Sequence, residues 1–122
     1  MLIEGLYSVI ALEQSSEGVK ATVRLNKDHD IFKGHFPGNP IMPGVCMIQI
    51  IKELTEEALD KSLFLSVSSN IKFMAIINPE VNPVLHLDLS ITEEGDEVKI
   101  KNVTSFDETE ALKLSATFKI VA

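Results

Sequence analysis

Polar and apolar positions alternate along most of this chain, and the alternation gives way once to a run that is apolar at nearly every position. Val19, Ala21, Val23 and Leu25 alternate with Lys20, Thr22 and Arg24, the period-two pattern of a half-buried strand. Tyr7–Gln14 mixes aromatic, β-branched and polar residues and reads as a first strand, with Ser15–Gly18 as the turn between the two. Together they predict an antiparallel hairpin. Further along, Leu63–Phe73 is strand-like, and Leu85, Leu87, Leu89 and Ile91 alternate with His86, Asp88 and Ser90. Turn signals at Glu93–Asp96 and Asp107–Thr109 then separate a strand over Val98–Phe106 from a last one that points Leu112, Leu114, Ala116, Phe118 and Ile120 inward.

The apolar run predicts a helix from about Pro43 to Leu59, because proline at or beside the first helical position suits initiation. Val45, Cys46, Met47, Ile48, Ile50 and Ile51 leave almost no polar face in its first two turns, so this half is expected to be buried nearly all round. Lys52, Glu53, Thr55, Glu56 and Glu57 make the second half amphipathic. A helix sunk that deeply in a chain of 122 residues needs a curved sheet around it. The order of two strands, one helix and at least four strands predicts one α+β domain over residues 1–122, with an antiparallel sheet of five to six strands.

Composition narrows the function classes. The formal net charge of −7 argues against nucleic-acid binding, which rests on basic surface. The longest apolar stretches, Val45–Ile51 and Phe73–Ile77, are far too short to span a membrane. The start of the chain lacks the pattern of a signal peptide. A single cysteine, Cys46, excludes an intrachain disulfide and fits a reducing cytoplasm. The three histidines lie apart in sequence, so no metal site is expected.

The chemistry concentrates between Lys27 and the helix. This connection is long, and long connections without periodicity are usually functional. Ile31, Phe32, Phe36, Ile41 and Met42 are too apolar for a solvated tip. Its proline and glycine residues make a stiff, shaped loop that leads from His35 to a helix start whose first N–H groups lack intrahelical partners. A histidine at one end and a bare helix N-terminus at the other is the layout of a small acyl-group site.

The stretch Gly34-His-Phe-Pro-Gly-Asn-Pro-Ile-Met-Pro-Gly-Val45 closely resembles the signature of the β-hydroxyacyl-[acyl carrier protein] dehydratases, hot-dog-fold enzymes of fatty-acid synthesis. The resemblance implies a curved sheet wrapped around one long helix, and loss of water from a β-hydroxyacyl thioester to give the trans-2-enoyl thioester. It implies no cofactor beyond the phosphopantetheine arm of an acyl carrier protein, the expected partner. In that family the histidine abstracts the α-proton, which makes His35 the base; imidazole suits that task near neutral pH. A backbone N–H at the helix start holds the thioester carbonyl, which falls to Gly44 or Val45. Phe36, Pro37, Gly38, Met42 and Pro43 are expected to shape the substrate site.

One position departs from the family pattern. The family carries a carboxylate five residues after the glycine that Gly44 matches, and Gln49 stands there. An amide can orient a hydroxyl but has no titratable proton. Family members often read Glu-x-x-x-Gln across this turn, and here the order is Gln49-x-x-x-Glu53, so Glu53 is a candidate proton source. The bland reading leaves Glu53 solvated or paired with Lys52 or Lys72. The family builds its sites at dimer interfaces, which implies a homodimer or higher even oligomer, or a heterodimer with a related subunit that keeps the acid. That last case makes this chain a non-catalytic or half-catalytic carrier-binding subunit. A thioesterase on the same fold is a further alternative, although such enzymes usually place a carboxylate near the helix. Lys27, Lys33 and Lys72 are candidates for docking the acidic carrier. Cys46 reads as core, Met42 and Met47 as lining an acyl tunnel or the core, His29 as a loop residue and His86 as structural.

Overall fold

A computed structural model of the chain describes residues 5–16, 18–29, 42 and 44–121, with the backbone alone for Val45 and residues 65–69. The elements run in the order β1 (Tyr7–Gln14), β2 (Gly18–Leu25), α1 (Gly44–Leu59), β3 (Leu63–Phe73), β4 (Val84–Glu94), β5 (Glu97–Phe106) and β6 (Thr109–Ile120). The six strands form one antiparallel sheet in the order β1-β2-β4-β5-β6-β3. Strand β2 therefore pairs across to β4, and the chain leaves the sheet for α1 before β3 closes the far edge.

Alternation decides which face meets the helix. Val19, Ala21, Val23 and Leu25 of β2, Leu85, Leu87 and Leu89 of β4, and Leu112, Leu114, Ala116 and Phe118 of β6 are buried, as their spacing predicts. They pack with Cys46, Met47, Ile50, Ile51 and Leu54 of α1 in one core. Lys20, Arg24, His86, Asp88, Lys101 and Lys113 point the other way, into solvent. Gly18 sits so close to β4 that an added Cβ would lie 1.8 Å from the Leu89 carbonyl oxygen, which leaves no room for a side chain.

Two details were not visible in the pattern. The register of β1 on β2 shifts between Val9 and Ala11, so Ile10 is an extra residue on an edge strand. Before the shift Val9 pairs with Val23, and after it Leu12 pairs with Ala21. The bulge thus turns both Tyr7 and Gln14 toward α1, whereas strict alternation would have put them on opposite faces. The second detail corrects an expectation. The first two turns of α1 are not buried all round: Ile48 and Gln49 are half-buried, and with Lys52, Glu53 and Glu56 they form one partly open face. One sheet covers one side of a helix, and the i, i+4 rows on the other side stay open.

The helix ends as its sequence allows. Asp60 takes a left-handed conformation (φ 54°), and Lys61 N–H donates back to the Glu56 carbonyl at 3.2 Å, a C-terminal cap. The Glu56 side chain then accepts from Leu63 N–H at 2.8 Å, which fastens the start of β3 to the helix.

Candidate active site around helix α1

Gln49 and Glu53 are one helical turn apart, so their side chains share the open face of α1. The Gln49 Nε2 donates to Glu53 Oε2 at 2.7 Å. On the other carboxylate oxygen, Tyr7 O–H donates to Glu53 Oε1 at 2.8 Å. Both oxygens of Glu53 therefore accept, the behaviour of an ionised carboxylate. The amide of Gln49 has to present its nitrogen to that carboxylate, because two oxygens facing each other would repel. Its carbonyl is left on the side away from Glu53. Lys52 does not take Glu53; it approaches Glu56 at 3.6 Å.

Sequence reasoning missed Tyr7. It lies 46 residues before Glu53 and reaches it because β1 crosses beside the second half of the helix with its bulge setting the parity. Burial, and then the neighbouring Glu53 carboxylate, push the Tyr7 phenol well above its ordinary value, with a smaller push from Glu57. Tyr7 is the single tyrosine and there is no tryptophan, so phenolate absorbance reads this one group. Ionisation is expected only well above about pH 10, the ordinary tyrosine value. Glu53→Gln is expected to bring it down. The folded chain holds this proton more tightly than the unfolded one. The resulting stabilisation is present below about pH 10 and is lost as pH rises beyond it. Ionisation at the ordinary value in the wild type would contradict the contact.

At the other end of the helix, Gly44 begins α1 next to a largely apolar groove of about 460 Å³. Met42, Phe73, Met74, Ala75, Ile76 and Ile77 line it with Gly44, and Met42 N–H donates to the Ile77 carbonyl at 2.8 Å. An added Cβ on Gly44 would come within 3.2 Å of the Phe73 ring, so glycine here lets the ring lie against the helix start. Gly44 and Met42 were expected at a substrate site, and the structure places both on this groove. The wall from Phe73 to Ile77 was not anticipated, although an apolar segment following a strand was its signal. Gln49 lies five residues on from Gly44, about 7.5 Å along the axis.

The remaining candidates divide. His35, Phe36, Pro37, Gly38, Pro43 and Lys33 lie outside the described residues, as does the Val45 side chain. Lys27 lines a cleft of about 550 Å³ with Arg24, whereas Lys72 lies on β3 at the opposite end of the strand order, so the sheet does not group them. Met47 is fully buried in the core. Cys46 is buried as well, and burial pushes its thiol up, away from the reactive thiolate. His86 meets the Thr22 hydroxyl at 3.2 Å on the solvent face of the sheet. Among the described residues no cluster of three or more His, Cys, Asp or Glu side chains could hold a metal, and no helix is long and apolar enough to cross a membrane.

Residues 11–113 match the family model described as ApeI-like, ApeI dehydratase. The chain is 32% identical over 111 residues to the 3-hydroxyacyl-[acyl-carrier-protein] dehydratase FabZ of Rickettsia canadensis, covering 91% of this chain and 71% of that protein. It is 26% identical over 130 residues to the protein of the same name from Lactobacillus helveticus, covering 96% and 86%. Among solved structures, the dehydratase heterocomplex ApeI:P from Xenorhabdus doucetiae superposes with a TM-score of 0.77 at 23% identity, over 92% of this chain and 96% of that one. The shared architecture is a hot-dog fold, a curled sheet of six strands around a single helix.

Proposed function

Because the chain belongs to the family of ApeI-like and β-hydroxyacyl-[acyl carrier protein] dehydratases, we propose that it removes water from β-hydroxyacyl thioesters carried on the phosphopantetheine arm of an acyl carrier protein. The observation that carries this reading is the family match over residues 11–113, which spans both the His35 motif and the helix bearing Gln49. His35 takes the α-proton, and the thioester oxygen, against the N–H groups at Gly44 and Val45, bears the developing charge. The electron pair forms the Cα–Cβ double bond as the bond to the β-oxygen breaks, and that oxygen leaves with one proton as water. The acyl chain lies along the apolar groove of Met42, Phe73 and Ile76. The elimination is redox-neutral and calls for no cofactor beyond the carrier arm. We assign it to the cytoplasm, where the lone Cys46 stays reduced.

Gln49 orients the β-hydroxyl by accepting its hydrogen at the amide carbonyl. Glu53 acts as the acceptor that holds Gln49, since two donors already occupy its oxygens. The proton for the leaving oxygen then comes back from the His35 imidazolium. Lacking a dedicated acid, the chain alone forgoes a factor of roughly 10²–10⁴ in rate.

That deficit favours a second reading, in which a related subunit supplies the carboxylate and this chain supplies His35. The similar fold from Xenorhabdus doucetiae comes from a heterocomplex, and the far edge here exposes Phe64, Ile71, Phe73, Met74 and Ile76. The two readings separate when the purified chain is assayed on a carrier-bound β-hydroxyacyl thioester with and without an acid-bearing family subunit. Slow enoyl formation by the chain alone, unchanged on mixing, supports the single-chain reading. A rise of about 10²-fold or more on mixing supports the shared site. No enoyl product in either case refutes both.

A further inference from the structure

The hydrogen-bonded row Tyr7–Glu53–Gln49 has a residue at its far end that sequence comparison with a dehydratase motif would not single out. We propose that Tyr7 is a positioning residue: by holding Glu53 it fixes the Gln49 amide with its nitrogen turned in and its carbonyl turned out toward the substrate hydroxyl. The inference rests on the dehydratase reading for what Gln49 does, and on the geometry alone for how Gln49 is held.

Three observations carry it. The two bonds, at 2.8 Å and 2.7 Å, use different oxygens of one carboxylate, so Glu53 is gripped from both sides. A glutamate side chain on an open helix face is otherwise free to swing, and Tyr7 is the partner from outside the helix that ties it down. Tyr7 itself is set by backbone: it opens β1, pairs with Leu25, and faces α1 in the same parity as Val9. Hydrogen bonds to a charged group are among the stronger ones, so the amide orientation follows the carboxylate. The chain thereby keeps an orienting acceptor in the place where its relatives keep an acid.

The test reads the amide directly. The chain has two glutamines, so labelling their side chains with nitrogen-15 gives two amide groups, those of Gln14 and Gln49, told apart by the loss of one in Gln49→Glu. In the wild type one Gln49 amide proton is expected well downfield, as a charge-assisted donor. In Tyr7→Phe that shift is expected to collapse and the amide to become mobile, while Gln14, which donates to the Ala58 carbonyl at 3.2 Å, is unaffected. Where turnover is measurable, kcat is expected to fall about tenfold at constant KM. A Gln49 signal unchanged in folded Tyr7→Phe, with only a lower melting temperature, would overturn the proposal and leave Tyr7 as a fastener of β1. Should Tyr7→Phe not fold, Glu53→Ala reads the same signal: a Gln49 proton that stays downfield without Glu53 also overturns it. The amide signal decides the role of Tyr7 whether or not the wild type turns over. A held amide in a chain that forms no enoyl product under any condition refutes the dehydratase reading instead.

Discussion

Exchanging two side chains, Gln49→Glu together with Glu53→Gln, is expected to raise the dehydration rate of the purified chain by about 10²–10⁴-fold, the usual weight of a general acid. The exchange gives the Glu-x-x-x-Gln order that the family resemblance implies across this helical turn and conserves the hydrogen bonds of the site. Tyr7 O–H, which now donates to Glu53 Oε1 at 2.8 Å, would donate instead to the carbonyl of the amide placed at position 53. The nitrogen of that amide would donate back to the carboxylate placed at position 49, across the turn that the 2.7 Å bond now spans. The single change Gln49→Glu places a second carboxylate beside Glu53, across the 2.7 Å that now separates Gln49 Nε2 from Glu53 Oε2, and like charges that close have to share one proton. That shared proton is itself available to a leaving oxygen, so Gln49→Glu is also expected to turn over faster than the wild type. A double exchange no faster than the wild type would mean that position 49 does not face the leaving group.

Replacing His35 by alanine carries an effect of similar size in the other direction. His86 cannot take over, since it lies on the outer face of the sheet against Thr22. Dehydration by His35→Ala, and by His35→Ala in the double-exchange background, is expected to fall roughly 10²–10⁴-fold, the contribution of a positioned base. The Gln49 amide signal is expected to hold, because the bonds that set it run to Glu53 and Tyr7. Retained turnover would remove His35 from the chemistry and with it the assignment of the base.

Much of the fold was legible in the chain because burial on one face of a sheet imposes period two. Leu85, Leu87 and Leu89 or Leu112, Leu114 and Phe118 announce both the strand and its inner face. The helix was legible from its apolar run, but the run overstated the burial. Periodicity tells which residues are apolar, whereas the number of layers packed on a helix is a tertiary property, and one sheet left Ile48, Gln49, Lys52 and Glu53 partly open. Strand β1 resisted face assignment for a different reason: the bulge at Ile10 breaks the alternation in mid-strand, so no single parity describes Tyr7–Gln14. At the site, the Gln49–Glu53 relation was readable because i and i+4 share a face. Tyr7 was not, since its reach to Glu53 depends on strand register and bulge rather than on nearby sequence. The apolar wall from Phe73 to Ile77 stood in plain sight, but only the return of this segment past Met42 turned it into the side of a groove.

The central claim is that this helix presents a held amide to a β-hydroxyacyl thioester and that His35 drives the loss of water. It is tested most directly by mixing the purified chain, at stoichiometric amounts, with a β-hydroxyacyl thioester on acyl carrier protein and weighing the carrier over time by mass spectrometry. The account predicts slow conversion to carrier that has lost one water, speeded by the double exchange at 49 and 53 and stopped by His35→Ala. Carrier stripped of its acyl group would reveal a thioesterase and contradict it, and so would carrier left unchanged by wild type and double exchange alike.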